Sequence, residues 1–338
     1  MTAVAAEDGW PAAVPLAVPL ADPLADPLAD PLAAALASAA ASPSGSPLAA
    51  AFDALASRYD ALFSDHPSGR IVRQAVWRVA DEVFAGADRV LDLGCGTGVD
   101  AVHLAARGID VVALDVAPQM VAVARDVAAA AAAVSASGVG SVAVHVADVG
   151  DPSTWPVGVS RPDPPENRRP PDRAPDRAPD RAPYAGALAD FGVLNCIGDL
   201  APLGAALAAL VRPGGCFVAV VMPPGCAWET VLGLARGDVR RATRRWRGRA
   251  SADLGTGRWP VWYRPPRAVV RGLGPAWQII RVVPIGVVVP PSWAVARGGA
   301  FDRPWLWRAW TTAETAARRL PAAARWADHV AVVLRRAP

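Results

Sequence analysis

Apolar positions along the chain change period in a regular way. Between residues 90 and 222, short unbroken apolar runs alternate with longer stretches whose apolar residues recur every three or four positions. That is the pattern of buried parallel strands joined by helices. The runs at 90–93 (V-L-D-L), 111–114 (V-V-A-L), 142–147, 187–189 and 216–222 predict strands. Residues 99–107, 119–134 and 200–210 predict helices, the first stopped by Gly108. Upstream, Phe52, Leu55, Tyr59, Leu62 and Phe63 fall at helical spacing, and residues 71–84 form a second amphipathic pattern that takes Trp77 into the core. Downstream, 277–289, interrupted by Pro284, and 327–334 suit an antiparallel strand pair closing a sheet.

Two stretches lack either period. Residues 1–48 are Ala, Pro and Leu with a repeated A-D-P-L unit through Asp22, Asp26 and Asp30, which predicts a disordered tail. Residues 151–183 read P-D-P-P-E-N-R-R-P-P and then P-D-R-A repeated, which predicts a disordered, solvated insertion of balanced charge. The remainder, 49–338, is expected to form one domain.

Composition narrows the class. A chain of 338 residues, 53% of them hydrophobic, can bury a substantial core. Cys95, Cys196, Cys216 and Cys226 show no C-x-x-C or zinc spacing, so reduced thiols in a cytoplasmic protein without structural metal are expected. No apolar run reaches the roughly 18 residues of a spanning helix. Lysine is absent, and a formal net charge of +3 does not by itself point to nucleic acid.

The chemistry concentrates at residues 90–98, V-L-D-L-G-C-G-T-G. A strand running into a glycine turn and a helix N-terminus makes a nucleotide-sized cradle. A phosphate loop would need a lysine. A dinucleotide fingerprint would need G-x-G-x-x-G, whereas here the third glycine comes one residue early. What remains, D-x-G-x-G-x-G, resembles motif I of the class I S-adenosylmethionine-dependent methyltransferases, small-molecule type. The order of later signals extends the resemblance: A-L-D-V-A-P-Q-M at 113–120, H-V-A-D-V at 145–149, and the strand end at Asp190-Phe191 before G-V-L-N-C.

The resemblance implies an α/β fold: a Rossmann-like seven-stranded sheet, mostly parallel with one antiparallel strand, and helices on both faces. It implies S-adenosyl-L-methionine as cofactor. Gly94, Cys95, Gly96 and Gly98 would cradle it, and Asp92 would serve its ammonium group through backbone or water. Asp115 would take the ribose hydroxyls, with Val116 and Met120 along the adenine or simply in the core. Asp148, beside Val149, would take the adenine amino group or cap the next turn. Asp190 and Phe191 would meet cofactor and acceptor, Tyr59 would shield the methionine end, and Asn195 would orient the substrate.

Acceptor selection is expected in a Trp- and Arg-rich cap at about 225–310, since ten of the 13 tryptophans lie after residue 225, nine of them within the cap. A helix over 236–249 is predicted, and Trp228, Trp246, Trp262 and Tyr263 are the candidate substrate contacts, able to stack on or pair with an aromatic or anionic acceptor. If the acceptor is a hydroxyl, a base is needed, and His66 in the loop after the first helix is the candidate. The expected activity is in-line methyl transfer to a small molecule. An RNA methyltransferase and a non-catalytic adenosylmethionine-binding regulator are the alternatives.

Overall fold

A computed structural model describes residues 46–135, 138–156, 159, 184–253, 258–295 and 302–338. Almost all of the predicted tail, and the predicted insertion beyond residue 156 apart from 159, lie outside the described residues. The chain begins with α1 (Pro47–Leu55) and α2 (Pro67–Val83), joined by a 3₁₀ turn and a π turn over Asp60–Ser64. It then alternates β1 (Arg89–Leu93), α3 (Val99–Ala105), β2 (Asp110–Asp115), α4 (Pro118–Val134), β3 (Val142–Val146), β4 (Tyr184–Ala189), α5 (Ala201–Leu210) and β5 (Val211–Val221).

Seven strands form one sheet. Counting β8 (Trp277–Ile285) and β9 (His329–Arg336), the order is β3-β2-β1-β4-β5-β9-β8. β1 to β5 pair in parallel, and β9 runs antiparallel to both β5 and β8, so it alone is reversed. This is the seven-stranded, mostly parallel sheet with one antiparallel strand that the resemblance implied. Strand order reverses between β1 and β4, which opens a crevice beyond their carboxyl ends.

Both faces of the sheet are covered, which explains why its strands read as unbroken apolar runs. On one face Leu91, Leu93, Phe217, Val332 and Leu334 pack with Leu203 and Leu207 of α5 and with Val269 and Leu273 of α8 (Pro266–Leu273). On the other, Val90, Val218, Val220 and Val333 pack with Val76 of α2, Leu104 of α3 and Val121 of α4.

Between β5 and β8 the chain forms a cap. The predicted helix over 236–249 is not continuous. After α6 (Ala227–Ala235) come only the four-residue α7 (Val239–Ala242), a 3₁₀ turn at Arg245–Arg247, and then β6 (Arg249–Asp253), paired with β7 (Arg258–Trp262). Gly237 and Gly248, at φ +73° and +70°, interrupt the helical path, and Asp238 caps α7 by accepting from Arg241 N.

The cap also carries α9 (Pro304–Ala317), latched by a buried carboxylate. Glu314, 1% exposed, accepts the N–H groups of Gly286 and Val288 at 2.8 Å and of Val287 and Val289 at 3.2 Å. Glu314→Gln replaces one acceptor oxygen by an amide donor facing those N–H groups. It should cost about 1–3 kcal/mol of folding stability. Urea unfolding checks this, and an unchanged midpoint would contradict the latch.

Candidate active site

The cleft lies where the strand order reverses. Backbone geometry sets its floor: Gly94 N and Cys95 N both donate to Leu114 O, at 2.7 and 2.9 Å, tying the end of β1 to β2. Gly94, Gly96 and Gly98 all take positive φ. A Cβ on Gly96 would meet no neighbour within 4 Å, so there the backbone faces open space in the cleft. At Gly98 the crowding is internal, since a Cβ would sit 2.9 Å from that of Ala124 on α4.

Asp115 organises the turn. Its Oδ2 accepts from Gly96 N and its Oδ1 from Ala117 N, each at 2.9 Å. Burial raises the carboxyl pKa, and the two backbone donors oppose that rise. Val116 and Met120 follow along the same wall, and Asp148 and Val149 line the next strand end. Asp148 is exposed and does cap its own turn, with Oδ1 accepting Gly150 N at 2.7 Å.

The opposite end of the cleft is charged. Arg73 reaches in from α2, 3% exposed, and forms a buried ion pair with Asp100 of α3. Trp77 Nε1 holds the other oxygen of Asp100 at 2.7 Å, and the Arg73 guanidinium lies 4.7 Å from the Phe191 ring centre. Burial alone would lower the Arg73 pKa, but Asp100 and Asp190 raise it above the usual guanidinium value. Asp92 and Asp190 are pushed well above the carboxylate range, by burial first and then by repulsion from Asp100, with Arg73 opposing. Among the described residues, Oδ2 of Asp92, Oδ2 of Asp190 and Nε of Arg73 are buried without a hydrogen-bond partner.

The N-terminal segment closes this end. Thr97 Oγ1 donates to Asp60 Oδ1 at 2.9 Å and Ser64 Oγ donates to the same oxygen, so the π turn is fastened to the glycine turn. Tyr59 lines the cleft, its phenol held above the ordinary pKa by burial. Phe63 packs edge-on against Phe191, centroids 4.8 Å apart, and Phe191 is the non-glycine residue found at positive φ (41°) among those described. The cavity measures about 380 Å³, within the range of small-molecule sites.

Most of the residues predicted for the cofactor therefore converge on one cleft. Asp92 and Gly98 stand behind its lining. Arg73, Asp100 and Thr97 belong to it and were not singled out in the sequence. For Arg73 and Asp100 the one available signal was a charged residue on an otherwise apolar helical face, and Thr97 lay inside the glycine turn.

On the acceptor side the structure corrects several expectations. His66 is 5% exposed and caps α2, with Nδ1 accepting Ser68 N at 3.2 Å and Nε2 3.1 Å from Val295 O. With both ring nitrogens engaged and the ring outside the cleft, it is not placed as a base. Asn195 is 1% exposed and committed to backbone. It donates to Met222 O and Trp262 O and accepts Met222 N at 2.9 Å, so it joins β5 to the cap hairpin rather than facing a substrate.

None of the four predicted aromatic contacts lines the cleft. Trp228 donates to Val288 O, Trp246 points to solvent, and Tyr263 is buried beneath Arg245. Trp262 lies between Arg249 and Arg264, behind Gly198. The tryptophan that reaches the cleft is Trp259, whose Nε1 donates to Cys196 O at 3.2 Å. The β6–β7 hairpin decides this, because its register turns residue 259 rather than 262 toward the mouth.

Fold and cleft together are those that the resemblance to the class I S-adenosylmethionine-dependent methyltransferases implied. Residues 90–156 match the family model described as a methyltransferase domain. The chain is 45% identical over 65 residues to magnesium-protoporphyrin O-methyltransferase of Rhodobacter capsulatus, covering 19% of this chain and 26% of that protein. It thus spans about a quarter of the length of that curated relative. Similar solved structures include an S-adenosylmethionine-dependent methyltransferase from Methanosarcina mazei, at 12% identity and TM-score 0.45 over 77% of this chain and 97% of that one. Geranyl diphosphate C-methyltransferase from Streptomyces coelicolor A3(2) aligns at 13% identity and TM-score 0.45, covering 78% of this chain and 79% of that one.

Proposed function

We propose that the chain is an S-adenosylmethionine-dependent methyltransferase for a small-molecule acceptor. The observation that carries this reading is the set of orphaned buried groups at the charged end of the cleft. Two carboxylate oxygens and a guanidinium N–H without partners are costly unless a ligand satisfies them. An α-amino acid end fits both signs at once: Asp190, with Asp92 behind it, takes the ammonium, and Arg73 takes the carboxylate. Asp115 takes the ribose hydroxyls while still holding the glycine turn, and Asp148 and Val149 take the adenine edge.

The bound donor supplies a methyl group already made electrophilic by its sulfonium. The protein then has to hold the acceptor in line and keep water away. Phe191, Phe63 and Tyr59 do this from the charged end, and Trp259 and Ile197 shape the mouth. We assign this work to one domain over 49–338 with its cap at about 225–310, acting in the cytoplasm with its four cysteines free. No described helix is long and apolar enough to cross a membrane.

Incubation of the protein with labelled adenosylmethionine and an extract of its own cells should label a small metabolite, identified by mass spectrometry. Label confined to RNA, or no transfer despite tight cofactor binding, would overturn the assignment.

The raised carboxyl groups add a proton-linked expectation. A ligand ammonium favours ionised Asp92 and Asp190, so binding lowers their pKa and releases protons. Affinity for S-adenosylhomocysteine, which has the same amino-acid end, should therefore rise with pH through the raised carboxyl range. Calorimetry in buffers of different ionisation enthalpy measures the release, and equal apparent enthalpies in phosphate and Tris would contradict it.

A further inference from the structure

Helix α6 is amphipathic in the wrong sense for a surface helix. Its one acidic residue, Glu229, is 2% exposed and turned inward onto Arg244 and Arg245, whereas Val231 and Leu234 point out at 59% and 55% exposure. An ordinary surface helix hides its aliphatic side chains and shows its charges. The inversion is locked in, because Gly233 packs so closely on α7 that a Cβ there would fall 2.8 Å from Ala242 N.

The apolar surface continues to either side. Val239 of α7 is 58% exposed, and Trp246 in the next turn 53%. At the start of α6, Trp326 is 49% exposed, its carbonyl accepting Ala227 N at 2.9 Å. Arginines flank these positions: Arg236, Arg240, Arg247 and Arg325 are all exposed. The acids between residues 225 and 250 are Glu229, which is buried, and Asp238, which caps α7. Exposed apolar side chains and exposed arginines are thus interspersed along α6, α7 and the turn after them.

We propose that this α6–α7 face docks the protein on an anionic phospholipid surface. Aliphatic side chains and tryptophans enter the boundary between headgroups and acyl chains, while arginines pair with lipid phosphates. Charge complementarity decides for such a surface over a neutral one, since exposed arginines have few local acids to pair with and an anionic leaflet attracts each of them. Nucleic acid would use the arginines but give Val231, Leu234 and Val239 no partner. The inference stands apart from the methyl-transfer reading, because the face lies outside the cofactor cleft.

Flotation of the full chain with phosphatidylcholine–phosphatidylglycerol vesicles tests it, against vesicles of phosphatidylcholine alone. Binding is expected to the mixed vesicles, weakened by added salt. The double variant Val231→Asp/Leu234→Asp should weaken it roughly tenfold or more, and Arg236→Gln/Arg240→Gln, which alters charge alone, by a comparable factor. The urea unfolding midpoint, measured on the same preparations, reports whether each variant is folded. The proposal is overturned by absence of vesicle binding, or by binding unchanged in folded variants. It is equally overturned if the same substitutions abolish RNA binding or a concentration-dependent dimer in a protein that ignores vesicles.

Discussion

Arg245→Met should lower folding stability by about 3–5 kcal/mol, the cost expected when one partner is removed from a buried ion pair. Arg245 is 5% exposed and connects two buried carboxylates, with Nε donating to Glu229 at 2.8 Å and a terminal nitrogen to Asp328 at 2.7 Å. A second terminal nitrogen donates to the Asp328 carbonyl. Asp328 is held well below the usual carboxylate range: burial opposes this, but His329 and Arg245 outweigh it. Without the guanidinium both acids stay buried with fewer partners, and α6 loses its tie to the start of β9. Chemical denaturation of the variant measures the loss. A change under about 1 kcal/mol would mean that the network relaxes into solvent.

Asp115→Ala should weaken S-adenosylhomocysteine binding by about 1.5–3 kcal/mol, roughly ten- to hundredfold, from the lost charge-assisted hydrogen bonds to the ribose. The same carboxylate holds Gly96 N and Ala117 N, so the variant also frees the glycine turn, and some loss of stability accompanies the loss of affinity. Asp115→Asn separates the two effects, because its amide oxygen can keep one backbone bond while one acceptor position becomes a donor. Calorimetry on both variants, with unfolding measured in parallel, provides the check. Unchanged affinity in a folded Asp115→Ala protein would remove the residue from the site.

The legible and illegible parts of the site differ in a physical way. Asp115, Asp148 and Asp190 stand at the ends of strands, and in a parallel sheet the strand ends share one edge. A local pattern therefore suffices to bring them together. Arg73 and Asp100 sit on two helices far apart in the chain, and their pairing depends on how α2 and α3 pack on the sheet. The cap was the least legible region. Its tryptophans and arginines were visible in the composition, but Tyr263 was absorbed into packing, as were His66 and Asn195 outside the cap, and Trp259 was brought to the mouth by a hairpin whose register no periodicity revealed.

The sequence by itself determined the strand runs, the glycine turn and the acids at the strand ends, because each follows from local period and turn chemistry, and the family resemblance implied that the strands join in one seven-stranded sheet. The tertiary structure decided which buried groups were left without partners, which tryptophan faced the cleft, and which way α6 turned its apolar side. These depend on contacts between segments remote in the chain, where burial and geometry, not local pattern, set the outcome.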